Sequence, residues 1–169
     1  MRTRERTIVS SIMIIMNLPL FSDKQRGYFF NKIFKNLIFD DNVFIRRNVT
    51  IYGKNELIIG KNSFINEECF VDLSSKIVIG DDVAVGMRTI ILSSSHEIGR
   101  KRCGIAKRKI TKIENNVWIG AGVIIHPGVC IGEGSVISAG EVIRTNIPKN
   151  VILKNGNITK IDERRFKNV

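Results

Sequence analysis

The stretch Ile113-Glu-Asn-Asn-Val-Trp-Ile-Gly-Ala-Gly-Val-Ile-Ile-His-Pro-Gly-Val-Cys-Ile-Gly-Glu-Gly-Ser-Val-Ile-Ser-Ala-Gly140 places an isoleucine at 113, 119, 125, 131 and 137, one every six residues. Followed in both directions, the column grows to fifteen positions: Phe39, Ile45, Ile51, Ile59, Ile65, Val71, Ile79, Val85, Ile91, Ile113, Ile119, Ile125, Ile131, Ile137 and Ile143, all of them apolar. The step widens to eight from Ile51 to Ile59 and from Val71 to Ile79, and to twenty-two from Ile91 to Ile113. Three hexads therefore make one unit. A companion column two residues earlier is small or β-branched at Val49, Ser63, Cys69, Val83, Thr89, Thr111, Val117, Val123, Val129 and Ser135.

Side chains alternate along a strand, so the two columns point to one side of each hexad and the residue between them points to the other. The Gly, Asn and Asp residues between strands supply turns that tolerate positive φ. Three strands and three turns close a triangular coil, and about five coils stacked at roughly 4.8 Å per rung form a prism about 24 Å tall around a continuous aliphatic core. An antiparallel sandwich would need strands of varied length and hairpin signals, which a strict period of six does not supply. The expected fold is all-β, a parallel β-helix over residues 39–153 with an inserted loop at 97–112. An N-terminal helical segment at 1–38 precedes it and a short C-terminal tail at 154–169 follows.

A chain of 169 residues is large enough for one such core without a disulfide or metal. Its 43% hydrophobic and 25% charged residues exclude a disordered chain. No run of about 18 apolar residues is present to span a membrane. The formal charge of +11 calls for a polyanionic partner or a membrane surface. Only two Tyr and one Trp are available for base stacking, and no helix-turn-helix, RRM or zinc-finger pattern occurs, so no nucleic acid is expected and a phosphate-bearing cofactor serves the charge instead. Cys69, Cys103 and Cys130 are odd in number and lack C-x-x-C spacing, which fits a reducing cytoplasm. Two histidines are too few for a three-histidine metal site, and no metal is expected. The basic start Met1-Arg-Thr-Arg-Glu-Arg and apolar Ile8 to Phe21 mimic a signal peptide, but Asn17-Leu-Pro-Leu breaks the run and no small-x-small site follows. The segment is read as a helix packed on the body, with peripheral contact to the inner membrane face as the alternative.

His96 closes Ile91-Leu-Ser-Ser-Ser-His, after which the repeat stops for sixteen residues. Long loops in compact domains usually carry function, and an imidazole, largely neutral near pH 7, suits the work of a general base. On the residues alone a solvated surface histidine stays open. The loop from Glu97 to Lys112 holds seven basic residues against one acidic, either a solvated charge run or a place where Arg100, Lys101 and Arg102 draw in an anionic ligand. Trp118 takes the outward position of its strand, as Phe44 and Phe64 do in earlier coils. Aromatics recurring on one face of a three-sided prism predict a homotrimer. His126 reads as a corner residue, and the Gly-x-Gly pairs as turn glycines rather than a dinucleotide fingerprint.

From Phe39 to about Ile161, and most strongly over Ile79 to Ile143, the chain resembles the hexapeptide-repeat acyltransferases. It is similar to their maltose and galactoside O-acetyltransferases and to the capsular or colanic-acid O-acetyltransferases, with the Trp and Pro-Gly of the quoted stretch in register. The left hand of the β-helix is implied by this resemblance and not by the period. So are acetyl-CoA as donor, a sugar hydroxyl of a cell-surface polysaccharide or its precursor as acceptor, and His96 as the catalytic base. The resemblance also implies that Trp118 walls a cleft between subunits. It makes Asn66 and Asp72 acceptor-side residues, with Asp72 one residue out of register. The amides of Ala121 and Ala139 would contact the arm of coenzyme A. Arg144, standing where the family has Thr, and Lys160, matching the basic residue of a Gly-Asn-Pro-Ala-Lys ending, would meet its phosphates. The charge of the loop, rather than the resemblance, makes Arg100 and Arg102 acceptor-side residues. Glu141 would put a charge in an inward column and loosen the last coil. N-acetylation of an amino sugar, acetylation of an antibiotic and a β-helix scaffold without activity remain alternatives. A gamma-type carbonic anhydrase shares the fold but needs three histidine ligands.

Overall fold

A computed structural model of the chain describes Leu18 and residues 20–98 and 104–161. Helix α1 (Asp23–Ile33) opens it, started by a capping box in which Ser22 Oγ accepts from the Gln25 amide and Gln25 Oε1 accepts from the Ser22 amide. Coil 1 follows as β1 (Leu37–Phe39), β2 (Phe44–Ile45) and β3 (Thr50–Gly53), and coil 2 as β4 (Leu57–Ile59), β5 (Phe64–Ile65) and β6 (Phe70–Leu73). Coil 3 is β7 (Ile77–Ile79), β8 (Ala84–Val85) and β9 (Ile90–Ile91), after which β10 (Ser94–His96) and β11 (Ala106–Arg108) leave the prism. Coil 4 is β12 (Thr111–Ile113), β13 (Trp118–Ile119) and β14 (Ile124–Ile125), and coil 5 is β15 (Cys130–Ile131), β16 (Val136–Ile137) and β17 (Val142–Ile143). A partial sixth turn adds Ile147, bridged to Ile131, then β18 (Val151–Lys154) and β19 (Asn157–Lys160). The solenoid thus has about six turns, one partial turn more than the column ending at Ile143 implied.

Equivalent strands of successive coils pair in parallel and make three faces. Face A joins β1, β4, β7, β12 and β15; face B joins β2, β5, β8, β13, β16 and β18, with β19 added antiparallel at the end; face C joins β3, β6, β9, β14 and β17. Fourteen of the fifteen column residues are buried, and Ile51 packs half-buried against the same core. Each fully buried isoleucine contributes roughly 1.5–3 kcal/mol, so the columns dominate stability. The hydroxyls of the companion column are satisfied inside. Ser63 Oγ donates to Gly80 O at 2.8 Å and accepts from the Val83 amide at 2.9 Å, and Ser135 Oγ does the same with Pro148 O and the Val151 amide at 2.7 and 3.3 Å. A small polar residue at a corner thereby ties its coil to the next.

Both ends of the prism are closed. Helix α1 lies on coil 1, and Gly27 makes that approach possible, because a Cβ there would stand 2.5 Å from Val43 O. Buried Arg26 donates to Ile45 O at 2.9 Å and to Phe21 O, and pairs with Asp23. At the other end Asn155 and Gly156, with φ of 50° and 72°, turn β18 back into β19, so the expected tail begins as a hairpin. Glu141 is half-buried rather than inward, and its carboxylate accepts from the Gly156 amide. Among the described residues no helix is long and apolar enough to cross a membrane. The apolar start, apart from Leu18, Leu20 and Phe21, lies outside the described residues.

Candidate functional site

The turns from face B to face C change character along the prism. In the first three coils they read Arg46-Arg47-Asn48, Asn66-Glu67-Glu68 and Gly86-Met87-Arg88, with ion pairs between Arg47 and Glu67 at 3.5 Å and between Arg88 and Glu68 at 2.7 Å. In coils 4 and 5 the same turns are Gly120-Ala121-Gly122 and Ser138-Ala139-Gly140. The third place is left-handed in every coil, with φ of 59°, 60° and 59° at Asn48, Glu68 and Arg88, and 68° and 77° at Gly122 and Gly140. Backbone conformation therefore does not demand glycine in coils 4 and 5, and a Cβ on either glycine would have no neighbour within 4 Å. The wall is bare there, and a groove of about 400 Å³ lies along it, lined by Gly86, Trp118, Gly120, Ala121, Ser138 and Ala139 among others. Trp118 is 60% exposed at its edge, in one outward column with Phe44, Phe64, Ala84 and Val136. The amides of exposed Ala121 and Ala139 take no backbone partner among the described residues.

Asn66 stands in the same corner column, followed by Gly86, Gly120 and Ser138 in the next three coils, at the N-terminal end of this groove. It is half-buried, and its Oδ1 accepts from the Glu67 amide at 2.8 Å. Structure thus brings together Trp118, Ala121, Ala139 and Asn66.

The other expected site residues lie elsewhere. His96 ends β10, which pairs antiparallel with β11 so that His96 faces Ala106. The insertion is therefore a hairpin that begins at Ser94, and the imidazole is exposed beside the turn from face C to face A. Exposed Arg144 sits at that same corner, one coil from His126 and two from Leu92. Lys160 pairs with Val151 at the edge of face B opposite the groove. Arg100, Lys101, Arg102 and Cys103 lie outside the described residues.

Asp72 was expected on the acceptor side, yet it is 5% exposed. Coils 1 and 2 advance by twenty residues per turn where coil 4 advances by eighteen, and the two additional residues lengthen β3 and β6 on face C. Asp72 therefore falls at an outward place that the root of the hairpin covers. Its Oδ1 accepts from Ser74 Oγ at 2.6 Å and the Ser74 amide at 3.0 Å, and its Oδ2 accepts from Ser94 Oγ at 2.8 Å and the Ser93 amide at 3.3 Å. Burial alone pushes the carboxyl upward, but the Ser74 and Ser94 hydroxyls with the Ser74 and Ser93 amides outweigh it and hold it below the ordinary carboxylate value. Burial raises the Cys69 thiol to about 11 against the backbone hydrogen bonds that lower it, which removes it as a nucleophile at neutral pH. Sequence reasoning missed Ser93 and Ser94 as partners of Asp72; the break in the repeat after Ile91 marked their position but not their contacts.

The family description "Bacterial transferase hexapeptide (six repeats)" matches residues 110–145. A Staphylococcus aureus (strain MRSA252) protein carrying an acetyltransferase name is 34% identical over 148 residues, 85% of this chain and 73% of that one. Galactoside O-acetyltransferase of Escherichia coli (strain K12) is 38% identical over 104 residues, 60% of this chain and 50% of that one. The chain spans about half the length of the first curated relatives it matches. Among solved structures, a galactoside acetyltransferase in complex with coenzyme A superposes with a TM-score of 0.83 at 25% identity, covering 96% of this chain and 84% of that one. With a relative this similar over nearly three quarters of its length, and with the sixfold columns built into a parallel solenoid, the chain belongs to the hexapeptide-repeat acetyltransferase family.

Proposed function

We propose that the protein is an acetyl-CoA-dependent O-acetyltransferase acting on a sugar hydroxyl of a cell-surface polysaccharide or its precursor, with His96 as general base. The observation that carries this reading is the stripped corner of coils 4 and 5, where glycines that the backbone does not require leave a wall free for a ligand. The thioester of acetyl-CoA supplies an activated acetyl group. Flat walls at Gly120–Gly122 and Ser138–Gly140 accommodate an extended pantetheine arm, and the free amides of Ala121 and Ala139 are donors for its carbonyls. A coenzyme A complex of a similar galactoside acetyltransferase supports the same donor.

His96 takes the proton of the acceptor hydroxyl as its oxygen attacks the thioester carbonyl; the new C–O ester bond forms, the C–S bond breaks, and the proton passes to the departing thiolate. Within one chain His96 and the groove lie at opposite edges of face C, so a second copy completes the site, and the outward column at Phe44, Phe64 and Trp118 is the surface for a homotrimer. Asn66 and Trp118 then hold the acceptor. The basic residues Arg100 and Arg102 serve its charge and Arg144 the cofactor phosphates, which puts part of the net +11 to use; Lys160, at the edge of face B opposite the groove, does not join them within one chain. Acetyl transfer from labelled acetyl-CoA to a panel of saccharide acceptors tests the reading. His96→Ala should lower turnover by about 10² or more at unchanged acetyl-CoA affinity. Transfer to no saccharide, or a variant within a few-fold of wild type, contradicts it.

A further inference from the structure

The carboxylate of Asp72 faces two ways. Oδ1 closes the turn of its own coil through Ser74, while Oδ2 crosses to the next coil and holds the Ser93 amide and the Ser94 hydroxyl, where the chain leaves the prism. The Ser93 hydroxyl lies against Asp72 O and accepts from the Ser75 amide at 2.7 Å, fastening the same point a second time. On the returning side the Lys109 amide donates to Ser93 O at 2.9 Å, and Thr111 Oγ1 donates to Leu92 O at 2.6 Å while accepting from the Gly128 amide at 3.1 Å. Beyond that root the described hairpin has only its own ladder and an exposed Lys107–Glu97 pair. Ser94 and His96 are two residues apart on one strand, so their side chains leave the same face, about 7 Å apart along it. With the Ser94 hydroxyl on Asp72, that face is turned toward coil 2.

We propose that Asp72 is a positioning residue, which acts through Ser94 Oγ and the Ser93 amide to fix the height and the facing of the strand that presents His96. The proposal rests on the reading of His96 as general base. It assigns no contact between Asp72 and the acceptor. A carboxylate suits the task because one group must accept four hydrogen bonds, and an amide in its place has only one accepting oxygen. A catalytic imidazole on an exposed two-strand hairpin needs such an anchor, since a displacement of about 1 Å can cost about 10²-fold in rate.

The test uses the full-length protein with Ser94→Ala, Ser94→Thr and Asp72→Asn, read by kinetics and by the imidazole Cε1–H resonance of His96. The chain has two histidines, so His96→Ala assigns that resonance. Ser94→Ala should lower kcat about tenfold with the acetyl-CoA KM unchanged and shift the His96 resonance, and Ser94→Thr should restore both. Asp72→Asn should follow Ser94→Ala. If it does not fold, the serine pair decides alone. An unmoved His96 resonance in Ser94→Ala overturns the proposal whether or not kcat falls, because the hydroxyl then does not set the imidazole. Should His96→Ala keep its turnover, the general-base reading fails, and the resonance still tests what Asp72 holds.

Discussion

Gly122 and Gly140 carry the sharpest information at the scale of single residues. Asn48, Glu68 and Arg88 adopt the same left-handed corner at the same place, so the fold accepts a side chain there. Glycine in coils 4 and 5 is then a choice made for the space outside the protein. Gly122→Gln/Gly140→Gln should leave the protein folded with a melting temperature lowered by roughly 5–15 °C, since the corner conformation costs a non-glycine residue about 1–2 kcal/mol at each of the two positions. It should raise the acetyl-CoA KM about tenfold or more by crowding the corner beside the groove, with kcat less affected. Steady-state kinetics beside a thermal melt separate the two effects. An unchanged KM would mean that the donor lies elsewhere. Asp72 carries the opposite lesson: an acidic residue read as acceptor-side, one residue out of the family's register, is internal, because two additional residues in its coil lengthen its strand and put it under the hairpin.

Among the elements, the coils were legible and their exceptions were not. A strict sixfold column of aliphatics has one way to be buried, and fourteen of its fifteen members are buried. The exceptions come from local chemistry that a period cannot express. Glu141 leaves the inward column because the coil above it ends, and the Gly156 amide is there to receive it. Asn155-Gly156 is a hairpin signal in what reads as a tail, and it makes β19 the cover of an otherwise open edge of face B. Helix α1 covers the other end, where its buried Arg26 satisfies Ile45 O on coil 1. Arg26→Ala should lower stability by about 2 kcal/mol or more, since it strands an interior carbonyl and removes packing. Urea unfolding should report this as a lower midpoint with an unchanged slope, and a variant as stable as wild type would remove α1 from the account of the cap. Candidate site residues could be named from the sequence but not arranged, because which corner a residue occupies depends on counting turns through an insertion.

For the whole molecule, the candidate residues divide between two edges of one face. Trp118, Asn66, Ala121 and Ala139 gather at the turn from face B to face C, and His96 with Arg144 at the turn from face C to face A. In the function proposed above, His96 is the base on one corner and the donor wall is on another, and a second prism turned about a threefold axis would complete the site. Mixing two inactive variants reads this out most directly. One is His96→Ala; the other is the groove-blocked Gly122→Gln/Ala139→Trp/Gly140→Gln. After co-refolding at equal amounts, with mixed assemblies verified by mass, a site is intact when a subunit with its histidine meets a neighbour with its groove, which random assembly into trimers gives in about a quarter of sites. Acetyl transfer should therefore recover to about a quarter of the wild-type rate. Mixed trimers that stay as inactive as either variant alone would contradict the shared site and, with it, the pairing of His96 with the groove at Trp118.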